Sequence, residues 1–173
     1  MTREILGNVL RFVLLFLVQG LLLANIDLMD GKAQVFLYIL FIIMLPFRMS
    51  TIAVMGLAFL IGMAVDMFYD SSGLHASAGV FTALVRAYFI RIYTPRDDYD
   101  VNDRPSISRM GFQWFLKFSA SLIFAHCLWL FLLEAFTFSA FFATLSKVIL
   151  TSAITLFLSI VLVYLFAQKR VER

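Results

Sequence analysis

Two carboxylates and an imidazole, Asp66, Asp70 and His75, interrupt the otherwise apolar stretch 56–91, with Ser71, Ser72 and Gly73 between them. Two chemistries use such residues: metal binding by hard ligands, and attack by a serine that a histidine activates. Asp66, Asp70 and His75 are within plausible reach for a metal. The surrounding sequence, however, has no cysteine cluster, no HExxH spacing and no further histidine near them. A GxSxG elbow and a phosphate-cradling glycine loop are also missing. No metal, cofactor or catalytic set is therefore expected. Asp66 still needs a partner, because a carboxylate at the centre of a membrane span costs about 2.5–3.5 kcal/mol to insert, and less near an interface. His75 and the first amides of the helix that follows are the nearest groups. Asp70 reads as a turn residue at the interface. His126, in a separate apolar run near Ser119 and Cys127, reads as a buried, hydrogen-bonded histidine.

The elements that position these groups belong in a bilayer. Hydrophobic residues make up 62% of the 173 and charged residues 14%, with a mean hydropathy of +0.95. That composition is the polytopic membrane class, in a single domain spanning 1–173. The longest polar stretch, 94–110, is too short to bury a core. It mixes Asp97, Asp98, Asp100 and Asp103 with arginines, so it has no coherent basic face and reads as a cytoplasmic loop. One cysteine, Cys127, allows no intramolecular disulfide. The formal charge of +3 points to anionic lipid and not to nucleic acid.

About 20 apolar residues cross a hydrocarbon core about 30 Å thick. Six spans follow, at 5–24, 33–46, 50–68, 74–93, 112–136 and 146–167. The fourth requires Arg86 and Arg91 to reach for the nearer headgroups. The second is short. Joined to the third it would make a helix about 54 Å long, too long for one crossing, so the chain is expected to turn tightly near Pro46. Charge supports the division: six spans put twelve Lys and Arg on the side of both termini and leave Lys32 and Lys147 on the other. Both termini are thus expected in the cytoplasm. The first span lacks a small-x-small cleavage site and is expected to persist as a helix. Phe136, Phe138, Phe141 and Phe142, from a total of 20 phenylalanines, cluster where the last two spans join.

Counting by four along the third span gives Ala58, Gly62, Asp66 and Asp70, and along the fourth His75, Gly79, Ala83 and Ala87. Small residues at this spacing let membrane helices approach closely. A tight hairpin follows, with Gly73 free to take a positive φ and Ser71 or Ser72 placed to cap the next helix. Lys147, Thr151, Thr155 and Ser159 form a further stripe, a packing face with hydrogen-bonding side chains. The residues expected either to lock the hairpin or to bind partners are Gly62, Asp66, Asp70, Gly73, His75, Gly79, Ala83 and Arg86.

The segment GMAVDMFYDSSGLHA at 62–76, followed by an apolar helix closing at Ala87-Tyr88 and Arg91, resembles the rod shape-determining protein MreD family. That family has a G-x-x-x-D helix end, a G-L-x-A turn and a helix closing near an A-Y pair. The resemblance implies a non-enzymatic scaffold of the bacterial cell-elongation machinery in the cytoplasmic (inner) membrane. Such a subunit binds the bitopic protein MreC and links MreB filaments to RodA and a class B penicillin-binding protein that together build peptidoglycan. In its six-helix design the family is similar to the substrate-binding S subunits of energy-coupling-factor vitamin transporters. That similarity supplies the alternative, a vitamin-binding subunit with a polar pocket open to the outer face.

Overall fold

The computed structural model describes residues 2–24, 26, 28, 31–93, 104–135 and 141–168. The described residues are helical apart from connections and one isolated bridge between Leu28 and Ala33. The helices are α1 (Thr2–Leu17), continued by a π-helical stretch Val18–Leu23, then α2 (Ile39–Ile43), α3 (Thr51–Tyr69), α4 (Leu74–Ile92), α5 (Ile107–Met110), α6 (Phe112–Ala135) and α7 (Phe141–Gln168). Four described helical stretches are long and apolar enough to cross a membrane: Leu6–Leu23, Thr51–Tyr69, Phe112–Ala135 and Phe141–Leu165. Their outward side chains are apolar, as in Ile52 at 83% exposure and Met67 at 80%, which suits contact with lipid. Helix α4 matches α3 in length at 19 residues but carries His75, Arg86 and Arg91.

The closest helix pair is α3 with α4, and α6 packs on α4 and α7 in turn. The stretch 33–46 runs through the middle, with Phe36, Tyr38, Ile39, Ile42 and Ile43 fully buried. It departs from the helix expected there. Residues 34–36 have no regular structure, the chain tightens through i→i+3 bonds such as Leu40 N–H to Leu37 O (3.0 Å), and only Ile39–Ile43 is α-helical. Backbone outside a helix survives at membrane depth only when protein satisfies its polar groups. Here side chains do so. The N–H groups of Gln34 and Phe36 donate to Thr151 Oγ1 and Thr155 Oγ1, each at 3.1 Å, and the Val35 carbonyl accepts from Gln19 Nε2 at 2.8 Å. The α7 stripe therefore serves the backbone of a neighbouring segment.

Smaller departures concern boundaries. Helix α7 begins five residues before the expected 146, so Phe141 and Phe142 lie in its first turn and not in a loop. Phe136 and Phe138 fall outside the described residues, as do 94–103 of the polar loop, whose end forms α5. Arg104 at that end donates to Asn8 Oδ1 at 3.2 Å, tying the loop back to α1.

Candidate functional site

The hairpin of α3 and α4 is built on two glycines. A Cβ added at Gly62 would lie 2.5 Å from Ala76 Cα and 2.6 Å from the His75 carbonyl oxygen, and one added at Gly79 would lie 2.8 Å from the Ala58 carbonyl oxygen. Backbone thus meets backbone at both places. Ala83 is buried on the same α4 stripe. The connecting turn uses left-handed conformations at Asp70 (φ 48°) and Gly73 (φ 86°), the second being a conformation that glycine adopts without steric cost. Asp70 closes α3 and is exposed, its N–H bonded to the Asp66 carbonyl.

Asp66 sits one turn before that end, 5% exposed. Its Oδ1 accepts from the His75 N–H at 2.9 Å and from Ser71 Oγ at 2.5 Å, while its Oδ2 accepts from the Ala76 N–H at 2.9 Å. The carboxylate of one helix therefore caps the next. This corrects the expectation for Ser71 and Ser72: the residue that opens α4 is Gly73, which has no side chain to offer, so Asp66 receives the free amides and Ser71 supports it. Negative charge is favoured there by the partial positive charge at a helix N-terminus. His75 meets Asp66 through its backbone, which leaves its ring for another task.

That ring enters a network that the sequence alone did not reveal. Tyr38 Oη lies 3.1 Å from His75 Nδ1 and 2.8 Å from His126 Nε2, and His126 Nδ1 lies 2.8 Å from Thr82 Oγ1, which donates to the Ala78 carbonyl at 2.6 Å. With neutral imidazoles the proton directions close in one way. Thr82 has spent its proton on Ala78, so it accepts from His126 Nδ1–H. His126 Nε2 then accepts from the Tyr38 hydroxyl, which accepts in turn from His75 Nδ1–H. The four side chains come from 33–46, α4 and α6, and none is more than 4% exposed. Gln19 extends the polar core from the π-helical stretch, donating to Tyr69 Oη and to the Val35 carbonyl, each at 2.8 Å. The wider π turn interrupts the regular ladder where this amide must face inward.

Arg86 overturns a second expectation. It does not reach a headgroup. It is 2% exposed, and its Nη2 donates to the Leu45 carbonyl. That carbonyl lies where 33–46 stops being helical before Pro46, so it needs a donor from elsewhere. Arg91, one turn and a half further on, is exposed. His75, Thr82 and Arg86, at i, i+7 and i+11, share one face of α4 turned on 33–46 and α6. Between α6 and α7, Glu134 and Lys147 pair at 3.2 Å. Among the described residues, no group of three His, Cys, Asp or Glu is placed to hold a metal.

Tyr38→Phe keeps the ring and removes the shared hydroxyl, orphaning the His75 Nδ1–H and His126 Nε2. Each orphan costs about 1–3 kcal/mol in a water-soluble interior, and less in membranes, where the unfolded state also finds partners. A loss of about 1–2 kcal/mol is expected, read as a lower melting temperature in detergent. An unchanged melting temperature would mean that the network does not hold the three segments together.

In comparison with known proteins, the chain matches no family model, no curated protein and no solved structure.

Proposed function

We propose that the protein is a non-enzymatic membrane scaffold of the MreD kind, binding an MreC-like single-span partner and coupling MreB filaments to RodA and a class B penicillin-binding protein. One observation carries this reading. The two halves of the family-like motif, Gly62-x-x-x-Asp66 and Gly73-Leu-x-Ala76, touch each other: Gly62 abuts Ala76 Cα, and Asp66 accepts from the Ala76 N–H. Residues that resemble the family are those on which the hairpin depends. Tyr38, His75, His126 and Thr82 bond to one another, Gln19, Arg86, Thr151 and Thr155 serve the backbone of 33–46, and a large apolar surface faces outward for lipid and partner helices.

The same reading takes six crossings, in the bacterial inner membrane, with both termini in the cytoplasm. Segment 33–46 supplies the second. Extended backbone rises about 3.3 Å per residue and helical backbone about 1.5 Å, so these 14 residues reach roughly 30 Å, enough for a hydrocarbon core. Its contacts run down α4 from His75, through Tyr38, to Arg86, through Leu45. The S-subunit-like arrangement belongs to this proposal.

Tagged protein solubilised from native membranes is expected to bring down an MreC-like partner, and depletion to give rounded cells. Binding of a vitamin by the purified protein, together with recovery of an ATPase module, would replace this reading with that of a transporter S subunit.

A further inference from the structure

A cavity of about 280 Å3 opens between α4 and α6, walled by Phe81 and Phe89 from the first and by Phe124, Leu128, Trp129 and Leu132 from the second. Trp129 stacks flat on Phe81, with ring centroids 4.2 Å apart. Along α6 the lining runs from Ser121 to Leu132, about 16 Å at the helical rise. That is close to the depth of one leaflet, about 15 Å of a hydrocarbon core about 30 Å thick.

Shape decides what enters. A cavity of this volume drawn out along this length is a narrow slot, suited to a flexible hydrocarbon chain. A helix is about 10 Å across, and ten residues of one would fill roughly 1,200 Å3. Ser121 is the polar residue of the lining, at the end towards the start of α6, and its Oγ lies 3.0 Å from Tyr93 Oη. One turn further, on the same α6 stripe, comes Lys117. It is exposed and has no hydrogen-bond or ion-pair partner among the described residues. The order along the groove is therefore apolar slot, hydroxyl pair, exposed cation, which matches acyl chain, ester region and anionic headgroup.

We propose that this groove binds one anionic phospholipid, with an acyl chain between α4 and α6 and its phosphate at Lys117, in the leaflet at the N-terminal end of α6. The site is distinct from the hairpin turn and does not depend on the scaffold reading.

Trp129 is a built-in reporter. Nanodiscs of phosphatidylcholine carrying a small fraction of lipid with brominated acyl chains are compared, the brominated lipid being either phosphatidylglycerol or phosphatidylcholine. Brominated phosphatidylglycerol is expected to occupy the site about fivefold more readily, the ratio that corresponds to one lysine at an anionic surface, and so to quench at lower mole fraction. Trp129→Phe should remove the preferential part of the quenching. Lys117→Gln should make the two lipids equal, and Ala125→Phe, which fills the slot, should abolish the preference with helical content unchanged. Equal quenching in the wild type overturns the proposal, as does a preference that survives Lys117→Gln or Ala125→Phe. Self-association in the discs without preferential quenching would assign the groove to a second copy of the chain and also overturn it.

Discussion

Gly62→Leu is expected to abolish the folded hairpin, and Gly62→Ala to cost about 3 kcal/mol, the upper end for overpacking a core. Even one methyl group would sit 2.5 Å from Ala76 Cα, 2.6 Å from the His75 carbonyl oxygen and 2.7 Å from the Ala76 nitrogen. These are main-chain atoms, which have no rotamer to change. Moving them also moves the two amides that Asp66 holds, so packing and capping fail together. Gly56 in the same helix is the control, since a Cβ there meets nothing within 4 Å. Gly56→Ala should be neutral, or stabilising by up to about 1 kcal/mol through helix propensity. Thermal unfolding in detergent separates the two sites. A Gly62→Leu protein that melts with the wild type would show that α3 and α4 do not meet where they are placed.

The hairpin was legible because its determinants are local. Small residues at four-residue spacing, an acidic residue at the end of one stripe and a glycine in the turn all act across a dozen positions. Segment 33–46 was not, because hydropathy reports that a residue avoids water and says nothing of where its amide bonds. Thr151 and Thr155 replace a helical ladder there, and they lie more than a hundred residues away. The Tyr38 network was hidden for the same reason: three separate segments each contribute polar groups that look isolated in sequence. One sign was readable. His75, Thr82 and Arg86 fall on one face of α4, and a polar face on an apolar helix must be answered by partners inside the bundle. Reading 74–93 as a membrane span requires Arg86 to reach for headgroups. The deciding fact was the unsatisfied Leu45 carbonyl, which pulls the guanidinium inward.

Asp66→Ala is expected to destabilise the protein by about 2–4 kcal/mol, with Asp66→Asn losing roughly half as much. Alanine forfeits three bonds to a charged acceptor, worth about 1.5–3 kcal/mol each. It also removes the burial penalty, about 2.5–3.5 kcal/mol at mid-membrane and less here, near the end of α3. The net loss is therefore well below the sum of the bonds. Asparagine keeps one carbonyl oxygen for the His75 N–H and Ser71, but its amide turns a donor towards the Ala76 N–H, so one of the two α4 amides goes uncapped. The same geometry fixes what the residue does for function. Both carboxylate oxygens accept within the hairpin and the residue is 5% exposed, which leaves little of Asp66 for another protein, so recovery of a partner should fall only as far as the folded fraction falls. Measured at a temperature where Asp66→Asn remains folded, partner recovery should equal that of the wild type. Partner loss from a fully folded Asp66→Asn protein would show that the carboxylate itself is read by the partner, and that the cap opens in the complex.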